Sequence, residues 1–379
     1  MSDNLKIVII GGGIAGLSAA QGVREITKTA DIKLICAENR LPYYRPRICE
    51  VFSGLDPDKL VVKNAQWFTD NAIETVFATV TAIDADGKFV LTGGGERIEY
   101  DRLIIATGAN GNLPKVPGSD AENVLAMRYL KDTDRVRRFP GAVVIIGGGL
   151  LGLEAAWHLS REGRPVTVVD RGGHLLSRQL DPEAGAFFKK VAEDAGVRIV
   201  LDGNLEHIDG KQVFLEGGTV LDANVVLFAA GIKPEVSLGV TLGLSVNRAI
   251  VVDEKMQTSM EDVYACGDCA ELNGINQGLW TVSMAQGPVA GKNAAGGDAV
   301  YKPEPPSYTM NAMGTRIWSL GDIGTSDAVS SQGGSDFKKL FFDTNGKLAG
   351  AIMIGSITKA SALKKAISEK VPKEEALRI

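Results

Sequence analysis

The sequence predicts an α/β fold with two parallel-sheet units of one design, followed by a small α+β domain. The main observation is a repeat: VIIGGGIAGL at residues 8–17 returns as VIIGGGLLGL at residues 144–153. In both copies an apolar run typical of a buried strand, residues 6–10 and 142–146, leads into glycines and then into helical apolar spacing. With 379 residues, 45 glycines and only 14 prolines, the chain has room for two or three domains rich in tight turns.

The glycines of both copies follow the spacing G-x-G-x-x-G. The first glycine permits a tight turn, the second lets the backbone approach a pyrophosphate, and the third lets the helix pack on the strand. The amino end of that helix stabilises negative charge. The sequence therefore predicts two Rossmann-like dinucleotide-binding domains, whose phosphate-binding glycines are Gly11, Gly13 and Gly16 in the first and Gly147, Gly149 and Gly152 in the second.

An acidic residue follows the second strand of each unit. Glu38 stands 22 residues beyond Gly16, and Asp170 stands 18 residues beyond Gly152. A carboxylate at this position accepts hydrogen bonds from ribose hydroxyls, although a solvated surface carboxylate is the alternative. Asp170 favours NADH, because a carboxylate repels the 2′-phosphate of NADPH. Arg171 beside it weakens that preference.

Breaks in the pattern suggest where the chain passes between domains. YDRLIIATGA at residues 100–109 predicts a strand that ends in a small-residue turn, and prolines follow it, which puts the first crossing near residue 112. The return crossing is expected at residues 231–234, and the proline-rich residues 301–306 read as a linker. The predicted domains are a discontinuous first domain (1–112 and 233–300), an inserted second domain (113–232) and a C-terminal domain (301–379).

Three further motifs join the two glycine turns: ATGA at residues 106–109, AAGIKP at 229–234 and YACGD at 264–268. Together they resemble the FAD-dependent pyridine nucleotide oxidoreductases related to glutathione reductase, over residues 1 to about 300. The resemblance implies that the first unit binds FAD and the inserted unit binds NADH. It also implies that Thr107, Gly108 and Asp268 contact FAD and that Gly231 contacts NADH. For Asp268 the alternative is a carboxylate that only satisfies local turn amides.

A closer resemblance concerns LPYYRPRICE at residues 41–50 and the segment 278–296. Both are similar to the rubredoxin-reducing members of the family and to the flavin module of NADH-dependent nitrite reductase. The resemblance implies that Arg45 lies near the isoalloxazine, where it could stabilise negative charge as a catalytic residue. Tyr44, Pro46 and Arg47 are expected nearby. Ferredoxin reductases of this group carry a lysine where this chain has Glu50.

The cysteine relay of the disulfide-reducing members is absent. The helix after Glu38 lacks a C-x4-C pair, residues 113–232 contain no cysteine, and the C-terminal domain contains no histidine. We therefore expect the flavin to pass electrons directly to a small carrier protein such as rubredoxin. Rubredoxins are acidic, so Arg45, Arg47 and Lys63 are candidate docking cations.

Several alternatives stay open. A redox Cys49 would indicate an NADH oxidase or a coenzyme A disulfide reductase, and Cys266 with Cys269 has C-x-x-C spacing, although packed inert thiols explain both. Residues 356–378 could anchor a membrane-surface NADH:quinone reductase, but their apolar coverage is thin. A non-catalytic flavin-binding protein is the last alternative.

Bulk properties narrow the class of protein. The net charge of −5 gives no reason to expect nucleic acid, and no motif indicates a metal. The amino terminus reads as a strand rather than a signal peptide, no apolar stretch is long enough to span a membrane, and four cysteines form no disulfide framework. We expect a cytoplasmic protein. In the last domain, residues 337–343 and 347–354 predict a hairpin turning at Asn345-Gly346, with a helix from about Thr358.

Overall fold

The computed structural model of the chain describes residues 4–305 and 307–379. The chain divides into two compact units, Met1–Ile48 with Asp56–Asn110 and Ile232–Pro303, and Cys49–Leu55 with Gly111–Gly231 and Glu304–Ile379. The chain passes from the first unit to the second between residues 110 and 111 and returns between 231 and 232, and the expected domain bounds stay a prediction. Residues 49–55 and the C-terminal segment belong to the second unit. Part of the expected linker, Pro306, lies outside the described residues.

The elements are numbered here in chain order. The strands are β1 Lys6–Ile10, β2 Asp31–Ile35, β3 Ile73–Val76, β4 Val80–Asp84, β5 Phe89–Thr92, β6 Arg97–Glu99, β7 Arg102–Ile105, β8 Ala109–Gly111, β9 Val124–Ala126, β10 Val143–Ile146, β11 Val166–Val169, β12 Arg198–Val200, β13 Leu205–Asp209, β14 Gln212–Leu215, β15 Val220–Asp222, β16 Val225–Phe228, β17 Ile232–Pro234, β18 Ile250–Val252, β19 Val263–Ala265, β20 Ala270–Leu272, β21 Ser307–Ala312, β22 Thr315–Gly321, β23 Asp327–Gly333, β24 Asp336–Phe342 and β25 Leu348–Ile354. The α-helices are α1 Ile14–Ile26, α2 Ala65–Asp70, α3 Leu130–Arg137, α4 Leu150–Arg161, α5 Pro182–Asp194, α6 Ser237–Thr241, α7 Trp280–Ala294, α8 Ala360–Ser368 and α9 Lys373–Ala376. The 3-10 helices are Arg45–Ser53, Pro57–Leu60 and Gly267–Cys269.

The first unit is built on a parallel sheet in the order β19-β7-β1-β2-β3. Its central strand β1 is buried along nearly its whole length, as the apolar run predicts. The alternating segment at residues 74–84 is one continuous pattern in the sequence but two strands in the structure. β3 closes the parallel sheet, whereas β4 pairs antiparallel with β5 in a second sheet. An alternation of apolar and polar residues predicts a β-strand, but it does not indicate which sheet the strand joins.

Small residues let α1 and α7 pack backbone to backbone. A Cβ added at Gly291 would lie 2.0 Å from the carbonyl oxygen of Ala19, and one at Gly22 would lie 2.5 Å from the carbonyl oxygen of Pro288. Both distances are far below van der Waals contact, so only glycine permits this approach. The small-residue pattern of residues 280–296, which predicts a buried helix, therefore reflects the packing of α7 on α1.

The second unit repeats the design of the first. Its parallel sheet has the order β12-β11-β10-β16-β9, and β10 is again the central strand that leads into glycines and a helix. A three-stranded antiparallel sheet, β13-β14-β15, shares an apolar core with it. Each glycine turn thus lies at the carboxyl end of a central strand, where α/β sheets bind their ligands.

The C-terminal segment forms an antiparallel sheet in the order β21-β22-β25-β24-β23, with α8 and α9 packed on it. The predicted hairpin is confirmed: β24 pairs with β25 around a turn in which Gly346 has φ +68°. The ammonium of Lys339 binds Asp181 at 2.6 Å and Glu183 at 2.7 Å, which ties β24 to the amino end of α5. Among the described residues, no helix is both long and apolar enough to cross a membrane.

Candidate dinucleotide sites

The first glycine turn connects β1 to α1. Gly11 has φ +126°, and a Cβ there would lie 2.1 Å from the carbonyl oxygen of Ala106, so no other residue fits without moving the neighbouring strand. A Cβ at Gly16 would lie 2.0 Å from the carbonyl oxygen of Gly11, which shows how closely α1 packs on the turn. The first and third glycines of the motif are therefore required by the protein's own packing.

Gly13, the second glycine of the motif, has open space around it, unlike Gly11 and Gly16. It has φ −90°, and a Cβ added there would meet no protein atom within 4 Å. It is the N-cap of α1, and no side chain caps that helix. The space in front of Gly13 and the uncapped amides behind it form a cradle that an anionic group fits.

Glu38 lies just beyond β2 and is held by two side chains. The hydroxyl of Tyr43 donates to its Oε2 at 2.6 Å, and Nη2 of Arg45 binds its Oε1 at 2.6 Å. Nη1 of Arg45 also donates to the Tyr43 hydroxyl at 2.9 Å. Arg45, expected beside the isoalloxazine, therefore contacts Glu38, the predicted ribose acid, in this structure. The direction of the Arg45 side chain depends on the pairing of residues 42–44 with residues 60–62. The local sequence does not specify this pairing.

Asp268 lies in the short 3-10 helix before α7. A Cβ at its neighbour Gly267 would lie 2.7 Å from Cβ of Ala15, so Asp268 stands close to the first turn of α1. The hydroxyl of Ser283 donates to its Oδ1 at 3.3 Å. The ATGA motif at residues 106–109 also lies next to the end of the AAGIKP motif at residues 229–234. The Thr107 hydroxyl donates to the carbonyl oxygen of Glu235, the residue after that motif, at 2.7 Å.

Two residues missed by the sequence analysis complete this region. Side-chain Nδ2 of Asn276 donates to the carbonyl oxygens of Asp268 and Ala270, at 2.9 and 2.7 Å. Oδ1 of Asn276 and Oε1 of Gln277 are buried and have no hydrogen-bond partner among the residues that the structure describes. Buried polar atoms normally have partners, so these two oxygens indicate a ligand with donor groups. The sequence feature that could have identified these two residues is the dipeptide Asn-Gln in the loop before α7.

The second glycine turn repeats this geometry between β10 and α4. Gly147 has φ +119°, and a Cβ there would lie 2.6 Å from the carbonyl oxygen of Ala229. A Cβ at Gly152 would lie 2.1 Å from the carbonyl oxygen of Gly147. Gly149, the uncapped N-cap of α4, again has open space in front of it. Gly231 has φ +90° and lies between β16 and β17, directly before β17.

Asp170 follows β11 directly and faces the second turn. Its Oδ2 accepts from the amide of Gly148 at 2.5 Å, and its Oδ1 accepts from the amide of Gly172 at 2.7 Å. The carboxylate is thereby fixed beside the glycines, where a nucleotide ribose would approach it. Arg171 is exposed next to it.

The four cysteines are buried and unpaired with one another. Burial, followed by the charges of Glu154 and Glu50, raises the pKa of the Cys49 thiol well above its usual value. Burial also raises the pKa of the Cys266 and Cys269 thiols, and the pKa of Cys36 to about 12. Thiols in this state are poor nucleophiles at neutral pH. In the described part of the chain, no group of three or more histidine, cysteine or acidic residues could hold a metal ion.

We therefore expect Cys49→Ser to retain turnover with NADH within about two-fold, since no thiolate is available to lose. The check is steady-state turnover with oxygen, with coenzyme A disulfide and with an electron-carrier protein. Loss of disulfide reduction in this variant, with flavin content unchanged, would mean that Cys49 is a redox thiol.

The residues of both turns fit dinucleotides. Each has an open second glycine, an uncapped helix amino end and a carboxylate after the next strand, and the first also has the buried oxygens of Asn276 and Gln277. Residues 5–293 match the family model described as pyridine nucleotide-disulphide oxidoreductase. The chain belongs to this family. Residues 306–371 match the model described as rubredoxin NAD+ reductase C-terminal domain.

Individual relatives agree with this assignment. The chain is 34% identical over 369 residues to NADH-rubredoxin oxidoreductase of Clostridium acetobutylicum, covering 96% of this chain and 94% of that protein. It is 30% identical to NADH oxidase of Methanocaldococcus jannaschii, and the match covers 98% of this chain and 93% of that protein. It also superposes with a TM-score of 0.90 on a ferredoxin reductase from Rhodopseudomonas palustris, at 27% identity and covering 98% and 97% of the two chains.

The family assignment confirms the fold class expected from the sequence. The protein has two Rossmann-like dinucleotide-binding domains, the second inserted in the first, and a small α+β C-terminal domain. It is an oxidoreductase that works with a flavin and a pyridine nucleotide.

Proposed function

We propose that the protein transfers electrons from NADH, through FAD bound in the first unit, to a small electron-carrier protein of the rubredoxin class. The observation that carries the proposal is the pair of open glycine turns in a chain whose four cysteines are buried. When bound, FAD converts the two-electron chemistry of NADH into single-electron steps. The protein contributes binding, orientation and electrostatics.

In this proposal the first turn binds FAD permanently. Gly11, Gly13 and Gly16 with the amides of α1 hold the pyrophosphate, and Glu38 accepts from the adenosine ribose. Asp268, Thr107 and Gly108 bind the central part of the cofactor, together with Asn276 and Gln277. The unsatisfied oxygens of Asn276 and Gln277 support donors on the ligand rather than acceptors.

The contact between Arg45 and Glu38 changes the role proposed for Arg45. A guanidinium 2.6 Å from the ribose acid is suited to orient that carboxylate and to offset its charge near the adenosine half of FAD. We therefore propose Arg45 as a positioning residue for the adenosine rather than as a group beside the isoalloxazine. Arg47 is exposed and stays a candidate for carrier docking.

The second turn binds NADH in this proposal. Gly147, Gly149 and Gly152 hold the pyrophosphate, Asp170 accepts from the ribose, and Gly231 lets the backbone pass close to the nucleotide. The nucleotide leaves as NAD+ after each turnover, which suits an acid held by two backbone amides and partly open to solvent.

The carrier is expected to dock at basic groups of the first unit. Residues 42–44 pair with 60–62 through Tyr44 N to Leu60 O at 2.8 Å and Val62 N to Pro42 O at 2.9 Å. This pairing brings the segments that carry Arg47 and Lys63 together. Lys63 lies over the ring of Trp67, 5.4 Å from its centroid. Rubredoxins are acidic, so these cations would steer them.

We expect carrier reduction to slow several-fold as ionic strength rises from about 0.05 to about 0.5 M, because the Debye length shortens. NADH-dependent flavin reduction should not change. The double variant Arg47→Gln with Lys63→Gln should lose most of this salt dependence, and the exposed Lys211→Gln in the other unit should keep it.

The assay should compare rubredoxin, ferredoxin, coenzyme A disulfide, a quinone and oxygen as acceptors with NADH. Fastest turnover with rubredoxin, together with the salt dependence, supports the proposal. Faster turnover with oxygen or coenzyme A disulfide than with any carrier protein would contradict it in favour of an NADH oxidase or disulfide reductase.

A further inference from the structure

The buried face of α7 in the first unit carries two polar side chains among small residues. Ser283 and Gln286 are each 5% exposed, and their spacing places both on the helix face that also carries Gly287. Glutamine is mostly an exposed residue in proteins, and a buried amide group normally has a hydrogen-bond partner. The burial of these two side chains is therefore explained by what they bind inside the unit.

Both side chains bind the turn that carries Asp268. Oε1 of Gln286 accepts from the amide of Gly267 at 2.8 Å, and this hydrogen bond is buried. The hydroxyl of Ser283 donates to Oδ1 of Asp268 at 3.3 Å. One turn of α7 thus holds the Asp268 turn at two points, its backbone and its carboxylate.

The backbone at Gly267 explains why the first of these bonds is needed. Gly267 has φ +79°, so the chain leaves the direction of β19 there, and the amide of Gly267 binds a side chain instead of the neighbouring strand. A buried amide without an acceptor is costly. The oxygen of Gln286 therefore keeps the Gly267 conformation favourable.

The same turn of α7 packs on the helix that forms the first glycine cradle. A Cβ added at Gly287 would lie 2.5 Å from the carbonyl oxygen of Ala15, in the first turn of α1. Gly287 directly follows Gln286, so one short stretch of α7 contacts α1 and binds the Asp268 turn. This stretch therefore fixes Asp268 relative to the cradle at Gly13.

We propose that Gln286 is a positioning residue for FAD, which acts by holding Gly267 and Asp268 in the conformation that binds the cofactor. Ser283 supports it by orienting the Asp268 carboxylate. The inference rests on the proposed function in one respect, that Asp268 and the first glycine turn bind FAD. Without the Gln286 oxygen, the turn loses its order in the flavin-free protein, and FAD binding has to restore that order at a cost in affinity.

Two variants remove one contact each. Gln286→Met keeps the length of the side chain without its amide oxygen and should raise Kd for FAD about 10-fold, as expected for one lost buried hydrogen bond. Ser283→Ala should raise it about three-fold, because the hydroxyl contact is longer. Gln66→Met, at an exposed glutamine of the same unit, is the matched control and should keep the Kd of the unmodified protein.

The measurement is titration of the flavin-free full chain with FAD, followed by flavin fluorescence. The rate of FAD release from the loaded protein after dilution gives a second readout on the same variants. With FAD saturating, kcat/KM for NADH in Gln286→Met should stay within about two-fold of the unmodified value, since the second glycine turn is unchanged. Unchanged FAD affinity in Gln286→Met, with only a lower unfolding temperature, would mean a merely structural role and would overturn the proposal.

A double-mutant cycle tests whether Gln286 acts through Asp268. In the Asp268→Ala background, Gln286→Met should raise Kd for FAD by less than about two-fold more, because the group that it positions is already gone. The full effect of Gln286→Met in that background would also overturn the positioning role. Failure of the unmodified flavin-free chain to bind FAD would instead overturn the proposed function, and the inference with it.

Discussion

Replacing Gly13 with alanine is expected to leave a folded protein without bound FAD, whereas the same change at Gly149 leaves FAD bound and weakens NADH. Neither alanine meets a protein atom within 4 Å, and both positions have ordinary negative φ. The added methyl instead occupies the space through which a pyrophosphate approaches the backbone. We expect Gly13→Ala to lose more than about 90% of its flavin, and Gly149→Ala to raise KM for NADH about 10- to 100-fold.

The measurements are the flavin-to-protein absorbance ratio after purification and steady-state kinetics with NADH. The folding control is the thermal unfolding of the apoprotein, which alanine at an N-cap should change by only about 1 kcal/mol. Gly11→Ala serves as a contrast, since its Cβ would lie 2.1 Å from the Ala106 carbonyl oxygen and should prevent folding. If Gly149→Ala lost the flavin and Gly13→Ala kept it, the two cofactor assignments would be reversed.

Removing the carboxylate of Asp170 should have the second largest effect. Asp170→Ala loses the ribose acceptor and leaves the amides of Gly148 and Gly172 without their partner, so the turn itself loosens. We expect kcat/KM for NADH to fall about 10- to 100-fold. The value for NADPH should fall less or rise, because the 2′-phosphate no longer meets a negative charge and Arg171 is beside it.

Asp170→Asn is the matched variant, because it keeps one acceptor oxygen and removes the charge. Its kcat/KM for NADH should lie between those of the unmodified protein and Asp170→Ala. Flavin content should not change in either variant. A higher kcat/KM for NADPH than for NADH in the unmodified protein would reject the NADH preference, and an unchanged ratio in Asp170→Ala would reject the role of Asp170.

The glycine turns could be predicted from the sequence because their constraints are local. Gly11 and Gly147 need positive φ, and Gly16 and Gly152 need the absence of a Cβ. Such requirements are visible as residue type at fixed spacing. The central strands of the parallel sheets could be predicted for the same reason, because a buried strand is a local run of apolar residues.

Side-chain directions in the segment after Glu38 could not be predicted. Arg45 binds Glu38 because residues 42–44 pair with residues 60–62, a contact that depends on the tertiary structure. This pairing is not encoded in a local pattern, so the contact of Arg45 with Glu38 could not be foreseen, and the expectation for Arg45 rested on family resemblance alone.

Strand β23 shows a different limit. Its sequence, DAVSSQG, has almost no apolar alternation, and nearly all of its residues are exposed. It lies at the edge of the C-terminal sheet, where it pairs with β24. An edge strand with both faces in solvent carries no period-two signal, whereas its buried neighbours β24 and β25 could be predicted.

The most direct test of the account is anaerobic stopped-flow mixing of the FAD-loaded protein with NADH, followed by mixing with an oxidised electron-carrier protein. We expect NADH to bleach the flavin absorbance as fast as or faster than steady-state turnover, and each bleached flavin then to reduce two equivalents of rubredoxin. Bleaching slower than turnover, or bleached flavin that persists in the presence of oxidised rubredoxin, would contradict it.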